Sequence, residues 1–410
     1  MNPLPLIGAT LRRYQASALA FVLLVAAGVS LSVAVISQER ALRTGSARAA
    51  DRFDLIVAAP GSRTDALLSG VFLRPGSSTL LPPALTASLL NDPRAGFVSP
   101  LAFGDSHRGD PVIGVIAALV SHLSGPLAEG RMFAARDEAV VGAASPLRVG
   151  QRFQPAHGAH GAPADQHRAG DQHVDEPHAV TLTVVGRMQP TGTPWDRAVT
   201  VPVELVWALH ELPTGHAPAS SQLGPPFDPA HTPGIPAAVV HTDNVPKAYA
   251  LRRAYTGSAS MAFFPAEALL QLYSILGDMR QLVGLIALVT QALVLLSIVA
   301  SVLILFRLLM PQFVTLRALG APRRYVFAVA WGFTASLIGI GVALGLAGGF
   351  ALSFGISAWL AGQTGVTLTP TLGEGEWLLA ASILGIGLVL ATLPAWRVQR
   401  ESLATAMRMY

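Results

Sequence analysis

The residues best suited to chemistry are histidines, and they are gathered in one part of the chain. All eleven lie between His107 and His241, and five of them, His157, His160, His167, His173 and His178, fall in one short tract. Asp165, Asp171, Asp175 and Glu176 are interspersed among them. Neutral imidazole and carboxylate oxygen together suit Zn, Ni or Cu(II), and three or four such groups on one loop can close around an ion. The candidate metal ligands are therefore His157, His160, His167, His173 and His178, with Asp171 and Asp175. Irregular spacing and Gly, Pro and Ala surroundings fit a solvated insertion without an ion as well. His210, His216, His231 and His241 read as ordinary surface or turn histidines. No cysteine is present, which excludes disulfides and thiolate metal sites.

Other catalytic signals are thin. Gly104-Asp105-Ser106-His107 sets a serine beside a histidine, but adjacent residues rarely make a nucleophile–base pair, and the segment reads as a polar turn. A P-loop needs lysine between glycine and Ser or Thr, and the sole lysine, Lys247, stands between Pro246 and Ala248. Gly339, Gly341 and Gly345 lie in an apolar run with no preceding strand, so they read as helix packing rather than a dinucleotide site. Any ATP-driven work must borrow its energy from another subunit, and ATP would bind only there.

Phe313 to Arg324 is the second segment with a chemical meaning. Residues 281–306 before it and 325–373 after it carry no charge. An arginine inside hydrocarbon costs about 2.5–3.5 kcal/mol on insertion scales, so this island must lie at a membrane face. Phe313, Leu316 and Leu319 recur at i, i+3 and i+6 and are expected on one face, with Thr315 and Arg317 pointing elsewhere. Gly320 is placed as a C-terminal cap, and Pro322 prevents continuation. The expectation is a separate amphipathic helix over 313–320, with Phe313, Leu316, Arg317, Leu319 and Gly320 forming a docking knob for a partner.

The elements that must position these groups follow from hydropathy. Of 410 residues, 51% are hydrophobic and 13% charged, against about 25% charged in ordinary soluble proteins. The ends are apolar and the middle is polar and rich in Pro and Gly. The pattern predicts an integral membrane protein with four transmembrane helices, one before and three after a large inserted α+β domain. Residues 1–37 hold the N-terminal segment and the first span (16–37), which is too long for a signal-peptide core and reads as an uncleaved anchor. Residues 38–264 form the inserted domain, with the His-rich loop at 157–178. Strands are expected near 53–58, 112–120, 139–142, 180–186, 198–203 and 237–241, with helices at 203–210 and 245–255. Residues 265–410 hold a helical stalk from Pro265 to Leu309, further spans at about 281–309, 326–352 and 377–396, and a cytoplasmic tail. Gly341, Gly345 and Gly349 make a small-residue face for close helix packing. Residues 353–373 read as an outer loop.

Arg12, Arg13, Arg307, Arg317, Arg323, Arg324, Arg397, Arg400 and Arg408 all fall on one side of such a topology, with only Glu401 against them. The positive-inside rule makes that side cytoplasmic, with both termini inside and the large domain outside, periplasmic in a diderm bacterium. The same placement explains the arginines without nucleic acid, for which no extended basic stripe exists.

The motifs in their order resemble a known family. L-R-A-L-G-A-P-R-R (Leu316 to Arg324) after a long span, two further spans, and P-A-W-R-V-Q-R-E (Pro394 to Glu401) are similar to FtsX/MacB/LolC-type permeases of ABC transporters. G-R-M-F-A-A-R-D-E-A-V-V-G (Gly130 to Gly142), L-R-V-G-Q-R-F (Leu147 to Phe153) and V-V-G-R-M-Q-P-T-G-T-P-W-D-R-A-V-T-V-P (Val184 to Pro202) resemble the MacB-like periplasmic core. The resemblance implies an inner-membrane permease subunit, not itself an enzyme, that works as a homo- or heterodimer with a cytoplasmic ABC ATPase. It further implies that Phe313 to Gly320 couples ATPase closure to conformational work outside the bilayer, where a periplasmic protein or lipoprotein is a further partner. Relatives often carry an acidic residue near the start of that helix, where this chain has Gln312. The His-rich tract looks like insertions of permeases associated with zinc homeostasis. The competing expectation is a membrane-anchored metal-binding or sensing protein without a motor; a membrane-bound hydrolase has no evident nucleophile.

Overall fold

The structure is a computed structural model and describes residues 2–74, 79–157, 180–275 and 277–400. It divides into two compact units, one of Met1–Arg43, Gly277–Trp359 and Leu368–Tyr410, the other of Thr44–Leu276 with Leu360–Thr367. The chain begins with α1 (Leu4–Arg13), an amphipathic helix that buries Ile7 and Thr10 and ends on Arg12 and Arg13. Next, α2 (Gln15–Ala50) runs well beyond the expected end of the first span at Ser37. Gln38, Glu39 and Arg40 end the apolar stretch but not the helix, because all three are good helix formers and Glu39 pairs with Arg43 one turn on. Polarity marks where hydrocarbon must stop; it does not stop a helix.

The second unit is built on a mixed sheet. In chain order its elements are β1 (Leu55–Ala58), α3 (Arg63–Gly70), α4 (Pro83–Leu90), β2 (Phe97–His107), β3 (Asp110–Val115), α5 (Ala117–Ser124), β4 (Glu129–Gly130), β5 (Glu138–Val141), β6 (Arg152–Phe153), β7 (Ala156–His157), β8 (Leu182–Arg187), β9 (Val199–Pro202), α6 (Val203–Leu209), β10 (Ala237–His241), α7 (Val245–Ala254), β11 (Met261–Phe263) and α8 (Pro265–Ile275). The strands lie in the order β11-β1-β10-β2-β3-β9-β5-β8-β4, with β6 on β8 and β7 on β2. β3–β9 and β5–β8 are parallel and the other pairs antiparallel. β1, β3 and β9 are buried at every residue, which is why they read as unbroken apolar runs rather than alternating ones.

Two expectations are corrected here. The apolar run 112–120 is not one strand: β3 stops at Val115, and Ala117–Ser124 is α5. A short apolar run carries no period that separates strand from buried helix. Gly104–His107 is not a turn but the end of β2, where the register shifts between Ala102 and Asp105.

α6 carries a carboxyl group into the core. Glu204 is 1% exposed and stands 3.5 Å from the Nε2 of the equally buried His216. Burial pushes the Glu204 carboxyl up, against the opposing pull of the Gly224 amide and His216. A carboxyl raised in the folded state contributes stability below its unfolded value, about 4.3, and that contribution is lost as pH rises through the folded value. Glu204→Gln keeps an acceptor for the Gly224 amide but cannot ionise. Its melting temperature relative to wild type should therefore rise between pH 4 and pH 8; a difference that stays constant with pH would contradict the assignment.

The chain continues with α9 (Gly277–Ala318), α10 (Arg323–Thr364) and α11 (Glu374–Arg400). The expected stalk falls on α8 and α9, and Leu276 between them lies outside the described residues. The expectation of a separate helix at 313–320 is corrected: α9 passes through Pro311 without a break. Proline removes one N–H donor, and the rest of the ladder holds. α9 is capped by Gly320, whose φ is +90°, with the Ala321 amide donating to the Leu316 carbonyl (3.0 Å) and the Gly320 amide to that of Arg317 (3.1 Å). This is a Schellman cap. The outer loop expected over 353–373 is likewise shorter. α10 continues to Thr364 and stops where Gly365 takes φ +72°.

In the helical unit α1, α2, α9, α10 and α11 share a core that includes Val25, Val29, Val33, Phe313, Phe333, Leu337 and Ile383. Gly341, Gly345 and Gly349 face α2, where an added Cβ would stand 2.8 Å from Val25, 2.5 Å from Val29 and 2.7 Å from both the Ser30 carbonyl and Val33. At the far end of α2, Arg40 donates to the fully buried Glu376 at 2.7 Å and to the Thr371 carbonyl at 3.0 Å. Among the described residues three helices are long and apolar enough to cross a membrane, Gln15–Ala50, Arg323–Thr364 and Glu374–Thr392, and α9 adds the shorter apolar stretch Gly284–Ala300. With the mixed-sheet unit, this makes a membrane protein with a soluble domain.

Candidate functional site

One group of potential metal ligands occurs among the described residues, Asp105, His157 and His210, with one ligand atom from each lying within 4.8 Å of the others. Asp105 is on β2 and pairs in register with Val112 of β3 on one side and His157 of β7 on the other. Directly opposed residues of an antiparallel pair point to the same face, so β7 delivers His157 to Asp105. The irregularity after Ala102 re-aims the end of β2. His210 follows the last residue of α6 and is held by its amide, which donates to the Val206 carbonyl at 3.2 Å. Gly104 makes the approach possible: a Cβ there would sit 2.8 Å from His210 Nε2.

The resulting distances are 3.6 Å from His157 Nδ1 to Asp105 Oδ1 and 3.7 Å from His210 Nε2 to Asp105 Oδ2. The two imidazoles meet edge to face, their centroids 5.2 Å apart. The carboxylate is wholly buried, whereas the side chains of His210 and His157 are 26% and 53% exposed. A buried anion thus forms the floor of a site whose imidazole rim is open to solvent.

Of the ligands expected from sequence, only His157 belongs to this group. His160, His167, His173, His178, Asp171 and Asp175 lie outside the described residues. The structure adds Asp105 and His210, and His210 is corrected from an ordinary turn histidine to a member of the group. They are about fifty residues from His157 in opposite directions along the chain, so no spacing motif links the three. Their nearest sequence signal is the glycine before Asp105. His231 and His241 form carboxylate pairs with Asp228 and Asp54, each at 2.7 Å. His216 is corrected from surface to core, at 4% exposure.

The membrane-face segment is a turn between two long helices. Phe313 is buried in the helical core, Leu316 and Arg317 are half-buried, and Leu319 is 81% exposed. The expected common face does not exist. At 3.6 residues per turn a step of six places Leu319 about 120° around from Phe313. Gln312 is also engaged inward, its amide donating to the Tyr14 hydroxyl at 2.9 Å. What projects is Leu319 and Gly320, followed by exposed Pro322, Arg323 and Arg324.

A third arrangement belongs to the sheet unit, which includes Leu360–Thr367. Arg197 Nε and Nη2 donate to Asp110 Oδ1 at 3.0 and 2.8 Å, while Nη1 donates to the carbonyls of Gly362 (3.0 Å) and Gln363 (3.4 Å). The guanidinium thereby satisfies carbonyls in the last turn of α10, where a cation also complements the helix dipole. The Thr367 amide donates to the Gly192 carbonyl at 3.1 Å. Asp196 holds that loop by accepting from the Thr191 and Gly192 amides at 2.7 and 2.8 Å.

Residues 284–403 match the family model of the FtsX-like permease C-terminal domain. The match spans α9 from Gly284, the turn, α10 and α11, and it supports a permease-type role of the kind found in ABC transporters, a family that usually works with an ABC ATPase. No curated protein matches the chain.

Proposed function

We propose that the protein is the permease subunit of an ABC transporter and couples ATP hydrolysis in a separate cytoplasmic ATPase to conformational work in a periplasmic domain. The observation that carries this reading is the family match across the turn with its exposed Leu319-Gly320 tip. The arginine bias supports a cytoplasmic turn and an external sheet domain, with four spans when α9 is counted. The subunit pairs with a second permease, identical or related. The similarity of Gly130 to Gly142, Leu147 to Phe153 and Val184 to Pro202 to MacB-like cores fits this role.

The test is purification of the tagged full chain from native membranes. A P-loop ATPase should accompany it and should be absent when Arg317 to Gly320 is deleted; recovery of the ATPase with the deletion variant would refute the proposal. The Asp105–His157–His210 group favours a second reading, a membrane-anchored metal-binding or sensing protein without a motor. It predicts that no ATPase accompanies the wild-type chain. Under the first reading the same group and the His-rich tract support a role for the transporter in zinc or related metal homeostasis.

A further inference from the structure

We infer that Asp105, His157 and His210 form a three-ligand site for a divalent transition-metal ion of the zinc class, separate from the rest of the His-rich tract. The inference rests on their geometry and requires neither the permease reading nor any tract residue beyond His157.

The spacing distinguishes this group from the other histidine–carboxylate pairs. His231–Asp228 is a hydrogen bond at 2.7 Å, and His241–Asp54 stands at the same distance. His157 and His210 stand at 3.6 and 3.7 Å from the two oxygens of one carboxylate. Ligands at 2.0–2.1 Å around a tetrahedral ion are separated by about 3.3 Å, so a small inward movement of two side chains closes the site. Glu204 and His216 are similarly spaced at 3.5 Å, but that pair is sealed in the core and has no third ligand among the described residues.

The donor chemistry selects the ion. Two imidazoles and one carboxylate are borderline donors, which suit Zn²⁺ and its neighbours and disfavour Ca²⁺ and Mg²⁺. Among the described residues no fourth side chain joins the group, and the exposed imidazoles give an ion an entry path. The bound ion would tie the end of α6 to the β2–β7 edge, which immediately precedes the tract.

The experiment uses the full chain in detergent, stripped with chelator and then titrated with Zn²⁺ against a chromophoric competitor, with Co²⁺ as a spectroscopic probe. The wild type should bind one ion tighter than about 1 μM and give the intense visible bands of four-coordinate Co²⁺. Replacing His160, His167, His173 and His178 together by alanine should leave this ion in place. Asp105→Asn, His157→Ala and His210→Ala should each weaken it by at least about tenfold. Gly104→Ala should weaken it too, although it removes no ligand. Should Asp105→Asn fail to fold, His157→Ala decides, because its side chain is half exposed. Zn²⁺ binding unchanged in His157→Ala and His210→Ala, binding lost only in the tract variant, or no binding tighter than about 100 μM would each overturn the inference. Loss of the ATPase in the co-purification test would leave this result untouched.

Discussion

Leu319→Asp is expected to yield a folded, membrane-inserted protein that no longer retains its ATPase. Leu319 is 81% exposed and lies outside the helical core, so placing a carboxylate there costs the permease little. At the centre of a docking surface the same carboxylate would be desolvated against an apolar pocket. Interface anchors of this kind contribute about 2 kcal/mol or more, roughly a thirtyfold loss of affinity. Leu316→Asp is the less informative variant: Leu316 packs against the helical core, so a carboxylate there would damage the fold as well as the surface. The measurement is ATPase recovered per permease from native membranes, with thermal melting as the control. Equal recovery from wild type and Leu319→Asp at equal melting temperature would remove the docking role of the turn.

Arg197→Ala should destabilise the sheet domain far more than loss of an exposed ion pair such as Lys247–Asp243. It strips the positive partner from Asp110, whose side chain is 5% exposed, and uncaps the Gly362 and Gln363 carbonyls. Breaking a buried ion pair from one side costs about 3–5 kcal/mol; with Arg197 itself 35% exposed, water reaches the vacated site and about 2–3 kcal/mol is the expected cost. For a domain of this size that is a fall on the order of 5–10 °C in melting temperature. Arg197→Lys should recover only part of it, because one ammonium cannot span carboxylate and helix end as the planar guanidinium does. Removing Asp110 as well should restore some stability, since the buried charge goes with its partner. A single variant melting within a degree of wild type would mean that Arg197 holds nothing.

Much of the helical unit is legible in the sequence because its constraints are local. Hydrocarbon excludes charge residue by residue, so uncharged runs mark candidate spans and arginines mark the turn. The three glycines at four-residue spacing are on one face whatever the helix packs against. Helix ends are less legible. Ser37 and Leu352 are the expected span ends, yet α2 and α10 continue to Ala50 and Thr364, because helix propensity does not change at a membrane surface. Residues 313–320 differ from their expected form for a related reason: α9 arrives as a long helix, runs through Pro311 and absorbs the loss of one donor.

The candidate metal ligands divide in the same way. His157 is visible because histidines cluster around it, and composition is a property of the chain alone. Asp105 and His210 carry no such mark. Asp105 becomes a ligand candidate because β7 pairs beside it on β2, and His210 because α6 ends above Gly104. What the sequence determined by itself is therefore whatever one stretch of chain meets alone: solvent or hydrocarbon, helix or turn, and the reservoir of imidazoles. Which imidazoles meet which carboxylate was decided only by strand register and by the space left at a missing Cβ, since both depend on residues distant along the chain.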